Sequence, residues 1–348
     1  MPQLIVDCEG SLHSRLEAQF AEYLSGVQAT TVCNGTAALQ LALLTLGLGP
    51  GDEVLVPTLT YIASVNAIAH VGATPVLVDS LASTWQIDPA DARRKITPRT
   101  KAVMAVHLYG QPCEMDQLLR ICRERNLWLV EDCAEAFGAV YRGRNVGTFG
   151  DISTFSFFGN KTITTGEGGM VTSANAELMR RAGHLKGQGV SPTREYWHDE
   201  LAFNFRMNNI CAAIGLAQLE IAGEILKRKR RVAEWYQSGL SGLPLELHKE
   251  AEGTTHSFWM CSVLTANEST RDALRAHLRS RGIETRPVFH PAHTMPVFPS
   301  SLPFPVAESI SRRGLSLPSY PALTEELVER VCASTRNFYA AQEEVSVS

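Results

Sequence analysis

The sequence predicts an α/β protein: a mostly parallel mixed sheet sandwiched by helices, followed by a smaller C-terminal α+β part. Three observations point there. From residue 31 to about 175, short apolar runs alternate with helical patterns; alternation of this kind builds parallel sheets, because each crossover needs the length of a helix. The strand-like runs are apolar at nearly every position, as in strands covered on both faces. With 348 residues the chain exceeds what one hydrophobic core usually serves, so two domains are expected, at 1–225 and 226–348.

The elements follow in order. "GTAALQLALLTLG" is a helix apolar on nearly every side, hence buried. "DEVLVP" is a short strand, and "YIASVNAIAHVG" a helix stopped by Gly72. "TPVLVD" is a strand, and "DPADARRKI" a polar helix that Asp88 is placed to cap. "KAVMAVHLYG" reads as a strand, "EMDQLLRICRERN" as an amphipathic helix and "LWLVEDC" as a strand. From Asn209 to about Leu240 the pattern predicts one long helix leading into the second domain. There, "HSFWMCSVLT" is strand-like, while "TRDALRAHLRSRG" and "TEELVERVCASTRNFY" are helical. The Pro-rich stretch between His290 and Pro305 reads as an irregular loop.

Net charge is −4, which gives no electrostatic footing for nucleic acid. The basic run "KRKRR", Lys227 to Arg231, sits within a helical pattern and reads as a solvated face. Eight scattered cysteines form no C-x-x-C pair, so buried free thiols in a reducing compartment are expected, and no metal site. The opening "MPQLIVDCEG" lacks the basic and apolar regions of a signal peptide, and no apolar stretch is long enough to span a membrane. The expectation is a cytoplasmic protein.

Four features carry chemistry. Gly35 and Thr36 open the buried helix, where unpaired N–H groups and the positive end of the dipole suit a phosphate; an ordinary Gly-Thr helix start reads the same way. Asp132 ends an apolar strand, where open α/β sheets place ligand groups. A carboxylate there needs a partner, either the next helix's N–H groups or a protonated ring nitrogen. Tyr61 follows another strand and is either a core ring or a face for a planar cofactor. Finally, "SFFGNKTITTGEGG" joins the Ser156 hydroxyl, the Lys161 amine and Gly166, Gly168 and Gly169, which permit close backbone approach. A lysine desolvated in such a place is a nucleophile.

In this order, and with "NGTAALQLALLTLGLGPGDEVLVPTLTYIASVNAI", "VGTFGDISTFSFFGNKTITTGEGGMV" and "FRMNNICAAIGLAQLE", the chain resembles the fold type I pyridoxal-phosphate enzymes, within the sugar-nucleotide aminotransferases. The resemblance spans roughly residues 12 to 340. It implies pyridoxal 5'-phosphate as cofactor, with Lys161 carrying it covalently and Asp132 facing its ring nitrogen. Gly35, Thr36 and Ser156 fall on the phosphate site, and Tyr61 on the aromatic over the ring. Glu135 falls beside the ring hydroxyl, where many relatives carry glutamine. Asn204 matches an asparagine that reaches the phosphate of the neighbouring subunit, which implies a homodimer with shared active sites. His290 lies in a segment that can reach a sugar. Relatives usually carry a tryptophan-bearing stretch ahead of residue 12, which the opening residues do not match, and Ala202-Phe203 replaces a more usual glycine-tyrosine.

"LKGQG", "REYWHD" and "TRPVFHPAHTMP" resemble the branch that aminates GDP-4-keto-6-deoxymannose to GDP-perosamine with L-glutamate. A dTDP- or UDP-linked keto sugar, or a cyclitol, is the alternative substrate. A related dehydratase branch has histidine in place of the lysine, and Lys161 argues against it. A non-catalytic interaction protein that keeps the fold would leave the set of cofactor residues unexplained.

Overall fold

The computed structural model describes residues 11–347. Residues 1–10, with Cys8 and the start of the segment compared with the tryptophan-bearing stretch, lie outside the described residues. Two elements precede the periodic pattern and are not anticipated by it: α1 (Ser11–Leu24) and β1 (Gln28–Val32). The expected series follows as α2 (Gly35–Thr45), β2 (Glu53–Pro57), α3 (Ile62–His70), β3 (Thr74–Val78), α4 (Pro89–Arg94), β4 (Thr100–Val106), α5 (Met115–Arg125) and β5 (Trp128–Asp132). Asp88 caps α4, its Oδ1 accepting the Ala90 N–H at 2.8 Å. The short β6 (Val140–Tyr141) and β7 (Arg144–Asn145) lead to β8 (Ile152–Ser156), β9 (Gly169–Ser173) and α6 (Ala176–Lys186).

Seven strands form the main sheet in the order β1-β9-β8-β5-β4-β2-β3. Only β9 runs against the rest, pairing antiparallel with both β1 and β8. The other six strands therefore deliver their carboxyl ends to one edge. Alternation along the strands explains their continuous apolarity. Val54, Val56, Met104, Val130 and Ile152 pack toward α2 and α3 on one face. Leu55, Val103, Ala105 and Leu129 pack toward Leu118 and Cys122 of α5 on the other.

Beyond α6 the expected single helix is two, α7 (Asn209–Glu220) and α8 (Ala222–Gly239), bent by 64° at Ile221. The elements continue as β10 (Glu246–Leu247), β11 (Thr254–Thr255), β12 (Cys261–Leu264), α9 (Glu268–Ser280), β13 (Arg286–Pro287), α10 (Pro305–Arg313), β14 (Gly314–Leu317) and α11 (Glu325–Val347). The bend has a packing cause: α7 lies on α1, whereas α8 lies on α11. Residues 225 and 226, the expected boundary, fall in the first turns of α8. Nor is the whole basic run solvated. Lys229 shares the buried face of α8 with Val232, Ala233 and Tyr236, as helical spacing dictates, and donates from Nζ to the carbonyls of Trp259 (3.1 Å) and Ser319 (2.8 Å).

A second, antiparallel sheet has the order β10-β12-β14-β13 and its own core, in which Val263, Leu274, Leu315 and Val331 meet. The strand expected over His256–Thr265 is regular only at Cys261–Leu264; the preceding residues turn to the loop after β4, where the Ser257 N–H donates to the Gly110 carbonyl. There a histidine relay ties the two regions. The Phe258 N–H donates to His256 Nδ1 (2.8 Å), His256 Nε2 lies 3.4 Å from His248 Nδ1, and His248 Nε2 lies 2.9 Å from the Thr84 carbonyl. His248 also stacks on Trp85, with centroids 4.0 Å apart. The seven described cysteines are free; Cys33 and Cys211 are half-buried rather than buried. Among the described residues no single helix is long and apolar enough to cross a membrane.

Candidate active site

The carboxyl edge of the main sheet gathers the site. At the end of β5, successive side chains turn to opposite faces. Glu131 accepts the N–H groups of Gly147, Phe149 and Gly150 and pairs with His107 at 3.1 Å. Burial alone would raise its carboxyl; the His107 bond and the glycine N–H groups hold it below the usual range. Asp132 faces the other way. Its Oδ2 accepts the Ser64 hydroxyl at 2.7 Å, its Oδ1 the Ala134 N–H at 3.0 Å, and the Thr60 hydroxyl stands 3.1 Å behind Ser64.

The start of α2 lies alongside. Asn34 caps it, accepting the Ala37 N–H at 2.8 Å. Among the described residues, the N–H groups of Gly35 and Thr36 have no acceptor. Glycine at position 35 is a matter of space: a Cβ there would lie 2.7 Å from Ser156 Cβ. The close approach sets the Ser156 hydroxyl beside those two free donors.

Lys161 lies between β8 and β9, its side chain only 12% exposed. Its Nζ is 3.8 Å from Glu135 Oε1 and 4.1 Å from the centroid of the Trp259 ring. Glu135 Oε2 accepts the N–H of Tyr109 at 2.8 Å. That N–H is aimed by a turn in which Tyr109 adopts φ 57°, a left-handed conformation costing roughly 1–2 kcal/mol for a residue with a Cβ. Burial pushes the Glu135 carboxyl up to about 7, against the pull of Lys161 and the Tyr109 N–H. It titrates near neutrality beside the lysine.

Gly35, Thr36, Tyr61, Asp132, Glu135, Ser156 and Lys161 line one cleft of about 490 Å³. Tyr61 is 57% exposed, its ring tilted against Phe289. Two other expected residues lie outside this chain's own cleft, Asn204 having been expected at a neighbouring subunit's phosphate. Asn204 is exposed, its Oδ1 accepting from Arg206 Nε at 3.1 Å. His290 is exposed as well. Its neighbour His293 is the buried one, fixing the Pro-rich loop to the end of β2 with Nδ1 2.7 Å from the Thr58 hydroxyl. Sequence reasoning missed Ser64, Tyr109 and Trp259. Ser64 was within reach of it, three residues after Tyr61 and so on the same side of a helix. Trp259 offers no local signal; it meets Lys161 only through the tertiary fold.

Residues 5–336 match the DegT/DnrJ/EryC1/StrS aminotransferase family. The chain is 53% identical over 336 residues to GDP-perosamine synthase of Escherichia coli O157:H7, covering 96% of this chain and 92% of that protein. It is 40% identical over 332 residues to the UDP-N-acetyl-3-dehydro-alpha-D-glucosamine 3-aminotransferase of Acidithiobacillus ferrooxidans, covering 94% and 88%. Among solved structures, Spr1654 from Streptococcus pneumoniae in its PLP-form superimposes with a TM-score of 0.90 at 28% identity, covering 95% of this chain and 92% of that one.

Proposed function

The chain belongs to the DegT/DnrJ/EryC1/StrS aminotransferase family, and from that premise we infer that it moves the amino group of L-glutamate to the 4-keto carbon of GDP-4-keto-6-deoxymannose, giving GDP-perosamine. The observation that carries the choice of sugar nucleotide is the 53% identity to a GDP-perosamine synthase over nearly the whole chain, against 40% to a relative named for a UDP sugar.

The cleft fits pyridoxal 5'-phosphate. The free N–H groups of Gly35 and Thr36 and the Ser156 hydroxyl form a donor set for a phosphate at a helix N-terminus. The buried Asp132 carboxylate suits a protonated ring nitrogen, and the Lys161 amine a carbonyl carbon. When bound, this group takes up the electron pair left at the donor's α-carbon. Lys161 then removes the α-proton of glutamate and, in the second half of the cycle, delivers a proton to the sugar's C4. Asp132, oriented by Ser64, would keep the proton on the ring nitrogen. Tyr61 would give the ring a face, and Glu135 would stand beside the ring hydroxyl.

We also propose a cytoplasmic homodimer with shared sites, supplying activated amino sugar for polysaccharide such as O-antigen. Leu201 is 93% exposed, Ile210 75% and Ile221 52%, an apolar strip of the kind that covers itself by association, and Asn204 lies within that segment. We assign a sugar contact to His290, which is exposed on the loop that His293 fixes.

Glutamate consumption with GDP-, dTDP- and UDP-linked 4-keto-6-deoxy sugars tests the substrate. The GDP sugar should lead by tenfold or more, and an equal or faster rate with another nucleotide overturns the assignment. Borohydride should fix the cofactor to Lys161 in the wild type and to nothing in Lys161→Ala. Attachment elsewhere removes Lys161 from its role.

A further inference from the structure

Lys161 is held between two unlike neighbours. On one side is the Glu135 carboxyl, on the other the face of the Trp259 indole. The indole is fixed at several points. Its Nε1–H donates to the carbonyl of Asn160 at 2.8 Å, a contact across 99 residues of chain to the lysine's immediate neighbour. Its own backbone carbonyl accepts from the buried Lys229, and its ring lies within 12° of parallel to that of Tyr109 at 6.0 Å. A ring tethered in this way cannot turn its face from Lys161.

We propose that Trp259 is a positioning residue that seats the ammonium form of Lys161 whenever the lysine is not bonded to the cofactor; this rests on the assignment of Lys161 above. An ammonium within about 6 Å of an indole centroid is attracted by the ring quadrupole, and more strongly once desolvated. The attraction requires no acceptor atom. It therefore fixes the nitrogen while leaving its protons free to pass to a substrate carbon. Glu135 cannot serve alone, because its charge is itself changing near neutral pH. The other titratable or charged groups lining the two cavities that Lys161 borders are Asp132 at the end of β5 and Glu135 after it, Cys33 before α2, Tyr61 before α3 and His70 at its end, Glu167 on the lysine's own hairpin, Lys229 on α8, Glu284 and Arg286 at β13, Tyr320 after β14 and Arg330 on α11. None of these is altered when the indole is replaced, so a shift on replacing it reports the ring.

The decisive measurement uses protein stripped of cofactor. Trace acetic anhydride labels Lys161 only as the free amine, and mass spectrometry follows labelling from about pH 6 to 11. Removing the indole from an ammonium it stabilises lowers the midpoint. Trp259→Leu should shift it down by about 0.5–1 pH unit, and Trp259→Phe, which keeps a weaker ring face, by less. In the loaded enzyme kcat should fall more than KM rises. A midpoint that stays put or rises in both variants overturns the proposal, even with melting temperatures lowered, because a merely structural tryptophan affects only the melt. If Leu does not fold, the Phe variant decides by the same criterion. Failure of the cofactor-lysine assignment is separable: borohydride would then mark another lysine, while the labelling midpoint still reports the seat.

Discussion

Glu135 sets a pH dependence that belongs to one side chain. With its carboxyl at about 7 in the fold against 4.5 in an ordinary setting, the folded chain keeps a proton that the unfolded chain gives up. Stability from this group is thus full below about pH 4.5 and is lost as pH rises through 7, by on the order of 3 kcal/mol in the cofactor-free protein. Glu135→Gln should be flatter across that window, seen as urea midpoints that change less between pH 5 and 8. A variant falling as steeply as the wild type would exonerate Glu135. Asp132, three residues earlier in the chain, has two donors on its oxygens, where Glu135 has one N–H and a more distant amine.

At the scale of elements, the histidine relay makes the contact between the main sheet and the second sheet acid-sensitive. His256 Nδ1 takes the Phe258 N–H, so its own proton sits on Nε2 and points at His248 Nδ1; the His248 proton then serves Thr84. A second proton on either ring sets two N–H groups head to head or loses an acceptor. Burial accordingly lowers His248 to about 4 and His256 well below the usual 6.5. The His248 contribution is complete above about pH 6.5 and is lost as pH falls toward 4, about 2 kcal/mol by pH 5, and His256 acts in the same direction. His248→Phe, which keeps a ring against Trp85, should lose less urea resistance between pH 7 and 5 than the wild type, although weaker at pH 7. Equal losses would point to another group. The relay was illegible in the sequence because its members lie in three separated segments. The strands and helices between residues 31 and 175 were legible because continuous apolar runs and caps such as Asp88 are local signals. The gathering of Lys161, Asp132 and the start of α2 in one cleft was legible too, Asp132 by its place at a strand end, α2 by its Gly-Thr start and Lys161 by the glycine cluster that follows it. The bend at Ile221 was not: nothing local says that α7 must lie on α1 and α8 on α11. Lys229 was misread because composition outweighed its spacing to Val232, Ala233 and Tyr236.

At the scale of the molecule, the proposed dimer makes a separable claim. If Asn204 completes the neighbour's phosphate site, Asn204→Ala and Lys161→Ala homodimers are both impaired. A mixed dimer still holds one site with Lys161 and a donated Asn204. Mixing the two variants after reversible dissociation should restore glutamate-dependent turnover, up to about half per mixed dimer if the sites act independently. Mixed dimers proven by mass spectrometry yet inactive would mean that Asn204 serves its own chain or none.

The reversed strand β9 also governs when the site can exist. Among the described residues β1 pairs only with β9, and the chain between Val32 and Gly169 must be made before the two can meet. At ~5–20 residues per second, that is a wait of roughly 7–27 s on the ribosome. Until then Lys161 has no β9 to close its hairpin, although Ser156 on β8 is already in the chain. A nascent chain arrested just short of Gly169 contains all six like-directed strands and still leaves β1 without the strand it pairs with. The lysine hairpin is therefore framed only once its second strand exists, and the same strand then brings β1 into the sheet.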